Sequence, residues 1–265
     1  MLKGYTLPLT PQGTSSLAPL PPWHYVGTCL AIEYEADPDA VASFLPPGLE
    51  FHSPQCAVYF SDWQYASETG EEYLDPIRSQ YHEMILLISA AFQGNPCAYC
   101  PFIWVDQDVA LMRGLTQGWP KQIGSIWITR SFDLPSKAGP LVGPGGKFGA
   151  TLAVKDRRLA EATVTLREQV SQPPTPNFAR AVNVRHFPEL VAGRHDCPAV
   201  QELVQLESRD VQISPIWKGE ASLQFFDHPY LELPSLRPVK VGAGYRFSCA
   251  LTVDDLTLLR DLRSE

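Results

Sequence analysis

The sequence predicts an α+β fold dominated by strands: a curved antiparallel sheet closing into a β-barrel-like core, with a few short helices, in a single domain over residues 1–265. Three observations predict it. Runs of β-branched and aromatic residues recur at close spacing with turn residues between them, as in curved or closed antiparallel sheets. Segments with helical periodicity are few and short. Proline occurs 25 times, about twice the usual share, which breaks long helices and central strands and favours short elements joined by shaped turns.

Taken in order, residues 1–22 read as an extended, proline-punctuated arm. Residues 25–34 are rich in β-formers and read as a strand. Asp37 can cap a short helix that Pro46-Pro47 stops. Residues 56–66 alternate like a half-buried strand, and 81–92 and 98–106 form two more, with Gly94-Asn95-Pro96 as the turn between them. Residues 107–118 carry helical spacing, with Val109, Met112 and Leu115 on one face and Gly118 as the stop. From Trp119 the chain turns into an apolar strand. Residues 143–168 read as a hairpin around Lys155-Asp156-Arg157, and 178–189 and 202–226 supply further strands. The C-terminus pairs a strand at 245–253 with a short amphipathic helix at 254–262.

The net charge of -8 argues against a nucleic-acid partner, because phosphate binding rests on clustered Lys and Arg. The densest basic spot, Arg157-Arg158, sits beside Asp156 and Glu161. The longest apolar run, 84–92, is well short of the roughly 20 residues that span a bilayer. The N-terminus lacks a continuous apolar stretch of the signal-peptide kind. No membrane partner is expected, and a cytoplasmic location is the expectation. The six cysteines, Cys29, Cys56, Cys97, Cys100, Cys197 and Cys249, read as free thiols in a chain too large to need disulfide staples.

Most motifs have a plain structural reading. Cys97-Ala-Tyr-Cys100 has the spacing of half a zinc site, yet no second pair follows, so packed thiols are the simpler reading. His24, His52, His186, His195 and His228 show no metal-ligand spacing, and no cofactor is expected. Gly143-Pro-Gly-Gly-Lys147 lacks the Ser or Thr of a phosphate loop and reads as a turn. No GxSxG elbow is present. Lys121 is different. It stands between Trp119-Pro120 and an apolar strand, where lost hydration disfavours the charged amine and lowers its pKa. A neutral amine at neutral pH attacks a ketone and forms an imine. The alternative is a strand-edge lysine whose charge snorkels to water. Glu83, opening a strongly apolar strand, must be paired, protonated or functional.

Four segments in order resemble the acetoacetate decarboxylase superfamily over nearly the whole chain. They are ADPDAVASFLPPGLEF at 36–51, Tyr81-x-Glu83, Pro120-Lys121 and Trp217-Lys-Gly219 with Leu223-Gln224-Phe-Phe-Asp227-His228, followed by Pro238-Val-Lys240. The resemblance implies a β-barrel-like fold, a homo-oligomer, and a dyad in which Lys121 forms an imine with a small keto acid while Glu83 moves protons. Tyr81, Trp119 and Gln224 fall on its pocket segments, and Trp63, Trp119 and Phe225 bear on pocket size.

The departures point elsewhere within that chemistry. The decarboxylases carry a second lysine where this chain has Gln122, an arginine where it has Gly27 and a glutamate where it has Ser61. Their Gly-Arg pair is inverted as Arg113-Gly114. Another group must then hold a substrate carboxylate, with Arg113, His82 and Gln122 as candidates and Tyr245 as a further polar pocket group. Relatives lacking these charges run aldol condensation with dehydration, or hydration, through the same imine. The expectation is therefore a Schiff-base lyase of aldolase-dehydratase or hydratase type, acting on a keto acid with an aldehyde as partner in the aldol case. A true β-keto acid decarboxylase, a non-catalytic small-ligand binder and a biosynthetic cyclase stay open as alternatives. Covalent trapping separates enzyme from binder.

Overall fold

A computed structural model of the chain describes residues 1–264. Strands β1 (Trp23–Glu35), β2 (Glu50–Ser67), β3 (Gln80–Phe92) and β4 (Asn95–Val105) form one continuous antiparallel run. Two short helices, α1 (Pro38–Ser43) and α2 (Pro76–Ser79), lie in its connections. The Asp37 side chain caps α1 by accepting from the Asp39 and Ala40 amides. Helix α3 (Asp108–Gln117) follows β4, capped by Gln107 at one end and by Gly118 at φ 85° at the other, a backbone state that favours glycine. Then come β5 (Lys121–Ile123), β6 (Ser125–Ile128), β7 (Lys147–Val154), β8 (Arg157–Val170), β9 (Arg180–Phe187), β10 (Val200–Ile213), β11 (Ile216–Phe225) and β12 (Lys240–Asp261).

Strand β12 makes the architecture. It pairs with β1, β10 and β11, so the run β1-β2-β3-β4-β9-β10-β12 returns to β1 as a ring. The sheet continues from β12 through β11, β8, β7 and β6 as a second layer. The first four strands are thus covered on both sides. Leu30, Ile32, Val58, Met84 and Leu86 pack against Ile126, Phe148, Leu152 and Leu166 of the second layer. Alternate residues Cys29, Ala31, Tyr59, Tyr81 and Ile85 face the ring interior. Burial on both faces explains why residues 84–92 are apolar without alternation.

The structure departs from the expected antiparallel sheet at β4, which pairs in parallel with β5 and, through Ala98 and Ala181, with β9. It also replaces the amphipathic helix expected at 254–262. These residues continue β12, with Glu202, Leu203, Val204 and Leu206 opposite Asp261, Arg260, Leu258 and Leu256. Leu256, Leu259 and Leu262 have helical spacing, but the unpaired edge of β10 satisfies the backbone better as a strand. Only Leu262–Ser264 turns, as a 3-10 helix. The N-terminal arm doubles back, with Lys3 bridging Thr10 and the Ser16 hydroxyl accepting from the Tyr5 and Thr6 amides. No helix among the described residues is long and apolar enough to cross a membrane.

Candidate active site

The site is built from three elements that meet inside the ring. Along β3, alternation turns Tyr81 and Glu83 inward. After α3, the Gly118 turn brings the chain back on itself, with the Trp119 amide donating to the Gly114 carbonyl. Strand β5 then sets Lys121 beside Ile103 of β4. The lysine stem runs along α3 at Gly114, where a Cβ would lie 2.2 Å from its Cδ. Glycine inside a helix costs about 1 kcal/mol against alanine; here it makes the channel for the stem.

Lys121 Nζ lies 2.8 Å from Glu83 Oε2, the two side chains only 7% and 10% exposed. The other carboxylate oxygen accepts from the Trp63 indole at 3.2 Å. Burial lowers the Lys121 pKa below its ordinary 10.5, and the nearby Arg113 charge adds to that, while Glu83 opposes it. The net direction is down. The cation lost at Gln122 thus has a counterpart in Arg113, although burial remains the larger cause.

Arg113 itself is 1% exposed. Its guanidinium centre sits 3.3 Å from the Tyr65 ring centroid, flanked by Tyr25 and Tyr81 at 5.5 and 5.7 Å. Among the described residues none of its three guanidinium nitrogens makes a close, well-aligned hydrogen bond, and neither does the Gln117 amide nitrogen one helical turn on. The three tyrosine rings and hydroxyls are near neighbours of Arg113, and donors that make no close hydrogen bond are what an anion satisfies.

The dyad opens on a cavity of about 70 Å³ whose walls include Trp63, Tyr81, Glu83, Gln117, Trp119 and Lys121. Trp63 reaches it because its cross-strand neighbour is Gly27. A Cβ at Gly27 would stand 2.5 Å from the Trp63 ring and from the Asp62 carbonyl. An arginine at this position has no room while the indole lies there.

Of the residues expected at the site, Lys121, Glu83, Tyr81 and Trp119 line the cavity together, and Arg113 stands beside Tyr81 outside the cavity lining. Four do not. His82 is one residue from both Tyr81 and Glu83, so the strand period sends it to the opposite face, where Nδ1 lies 2.6 Å from Asp106 Oδ2. Gln122 follows Lys121 on a strand and is exposed for the same reason. Gln224 is exposed on β11, beside a surface groove with Trp127. Tyr245 is buried, but its hydroxyl donates to Glu33 Oε2 at 2.7 Å, away from the cavity. Phe225 lies in the layer between the sheets, whereas Trp63 and Trp119 do bound the cavity. Sequence reasoning passed over Gln117, which the i, i+4 spacing from Arg113 would have found.

The chain matches the family model described as acetoacetate decarboxylase over residues 6–262. A solved structure of the enduracididine biosynthesis enzyme MppR, complexed with the condensation product of pyruvate and imidazole 4-carboxaldehyde, is 41% identical with a TM-score of 0.93, covering 99% of this chain and 98% of that one. An acetoacetate decarboxylase-like enzyme from Sphingomonas wittichii RW1 is 25% identical with a TM-score of 0.90, covering 98% and 100%. The acetoacetate decarboxylase of Chromobacterium violaceum is 24% identical over 264 residues, 98% of this chain and 95% of that protein.

Proposed function

The chain belongs to the acetoacetate decarboxylase family, and from that premise we propose that it is a Schiff-base lyase joining a small 2-keto acid to an aldehyde through Lys121. The observation that carries the reading is the enclosed Lys121–Glu83 pair at 2.8 Å, with the Gln117 amide in the same cavity wall. MppR's complex with a pyruvate condensation product supports the same chemistry.

The amine of Lys121 attacks the ketone carbon and water leaves, giving the iminium. Glu83 takes a proton from the adjacent carbon, and the electron pair moves into the iminium to leave an enamine. The enamine carbon attacks the aldehyde carbon. The aldehyde oxygen receives the proton that Glu83 holds; Glu83 then takes a second proton from the carbon beside the iminium and delivers it to the departing hydroxyl, so water leaves and the new C=C bond forms. A second water hydrolyses the iminium and frees Lys121. In sum, keto acid and aldehyde give the unsaturated keto acid and one water.

Gln117 lines the cavity and Arg113 stands beside Tyr81 one helical turn away, so the two offer donors for a substrate carboxylate in place of the arginine absent at Gly27. Ile123, Trp127, Phe132 and Leu134 are exposed, which supports the homo-oligomer as part of this reading.

Incubation with pyruvate and borohydride, then peptide mass spectrometry, tests the imine. A reduced adduct is expected on Lys121 and none in Lys121→Ala; an unmodified Lys121 in the wild type sinks the reading. Enone absorbance with an aldehyde is the expected turnover. Carbon dioxide from acetoacetate without enone would assign the decarboxylase chemistry of the named relatives instead.

A further inference from the structure

Beside the Lys121 cavity lies a second one of about 90 Å³. Phe178, Ser208 and Leu251 line both, so the two are adjacent across these side chains. The rest of the second wall is largely apolar, with Val211, Ile213 and Phe247, and no charged side chain lines it. Its polar groups are mostly engaged. The Tyr59 hydroxyl donates to the Pro174 and Pro176 carbonyls at 3.2 and 2.9 Å. The Asn177 amide donates to Pro174 and accepts from the Ala179 amide. Cys249 Sγ lies 4.0 Å from Cys29 Sγ. Ser208 is the exception: it lines both cavities, and its buried hydroxyl has no hydrogen-bond partner among the described residues. Val211 and Ile213 are 50% and 43% exposed, so the cavity reaches the surface beside them.

We infer that this second cavity is the acceptor subsite, that it takes an aldehyde with an uncharged apolar chain, and that Ser208 holds the aldehyde oxygen. The inference rests on the imine chemistry proposed above. It places the two reactants in adjoining cavities, so the new carbon–carbon bond forms at the junction. As the enamine carbon bonds to the aldehyde carbon, the C=O π pair moves onto oxygen. The Ser208 hydroxyl donates a hydrogen bond to that oxygen, and the proton that neutralises it comes from Glu83. A hydroxyl aimed where charge develops lowers the barrier more than it tightens ground-state binding. The acceptor's carbon chain then lies against Phe178, Phe247 and Leu251. A charged acceptor would shed its hydration with no counter-charge in that wall.

The test pairs pyruvate with straight-chain aldehydes from acetaldehyde to hexanal, with glyoxylate as the charged acceptor, followed by enone absorbance on the wild-type chain. Expected is a rise in kcat/KM of about fourfold per added methylene until the cavity fills, with glyoxylate poorest. Ser208→Ala is expected to lower kcat at least tenfold with little change in the aldehyde KM. Val211→Asp, at the surface mouth, is expected to erase most of the advantage of hexanal over acetaldehyde. A Lys121 adduct together with turnover blind to chain length, or with no turnover of any aldehyde, overturns the acceptor subsite and leaves the imine standing. Absence of the adduct overturns both.

Discussion

The Glu83 carboxylate accepts on both sides, from Lys121 on one oxygen and from the Trp63 indole on the other. Its effect on Lys121 runs against the need of the chemistry, since a neighbouring anion favours the charged amine. Burial wins, and the Lys121 pKa lies below its ordinary 10.5. Glu83→Gln removes the opposing influence, so the Lys121 pKa falls further. The acid limb of borohydride trapping is therefore expected to move to lower pH, while enone formation drops on the order of 100-fold for want of a base. A trapping profile moved to higher pH would mean that Glu83 does not govern the amine. Much of this was legible in the residues. Tyr81 and Glu83 share a face by the strand period, and Lys121 next to Trp119 foretold desolvation. The Trp63–Glu83 bond was not legible, because it depends on Gly27 lying opposite Trp63 across a strand pair, a register that sequence does not state.

At the scale of elements, His82 joins β3 to the turn before α3. Its amide donates to Asp106 Oδ1 at 2.7 Å, and its ring nitrogen lies 2.6 Å from Asp106 Oδ2. The link therefore ties the strand carrying Glu83 to the helix carrying Arg113. The hydrogen bond to Asp106 raises the His82 pKa above 6.5, with Asp62 adding to it and burial and Arg130 opposing. A raised histidine stabilises the fold fully below the unfolded value and loses that contribution as pH rises through the folded one. His82→Ala should therefore lower the Tm more at pH 5.5 than at pH 8.5. Equal losses at both would show that the ring packs without the charge. The same element-level logic explains where sequence reading slipped. His82 and Gln122 each adjoin a site residue on a strand, and adjacency on a strand means opposite faces.

For the whole molecule, ring closure is the property that brings the cavity walls together, and it depends on a segment whose sequence spacing suggests a helix. Residues 254–261 hold the first half of β10 by pairing Val204, Gln205 and Leu206 with Leu258, Thr257 and Leu256, while its second half pairs with Cys249–Val253. Strand β10 in turn supplies Leu206 and Ser208 to the cavities. The other flank of β10 rests on β9, which reaches β4 through the Ala98–Ala181 bridge. That join is narrow, so the long β12 carries most of the closure on this side. The strands of the first layer were legible because burial on both faces leaves long apolar runs. The end of β12 was not, because its backbone partner lies some fifty residues away along the chain and its leucines fit either period. A chain ending at Val253 separates the two pictures. A peripheral helix could be removed with about the cost of a surface element, leaving the pyruvate adduct intact. A closing strand could not: the Glu202–Leu206 half of β10 would lose its partner, Leu206 would lose its neighbour Leu256, and the lumen would open to water at that end. Hydration of Lys121 would then return its pKa toward 10.5. The truncated chain is expected to lose cooperative thermal unfolding and to give at most a tenth of the wild-type adduct at pH 7. An unchanged adduct yield with a sharp melt would show that the ring closes without its last strand segment.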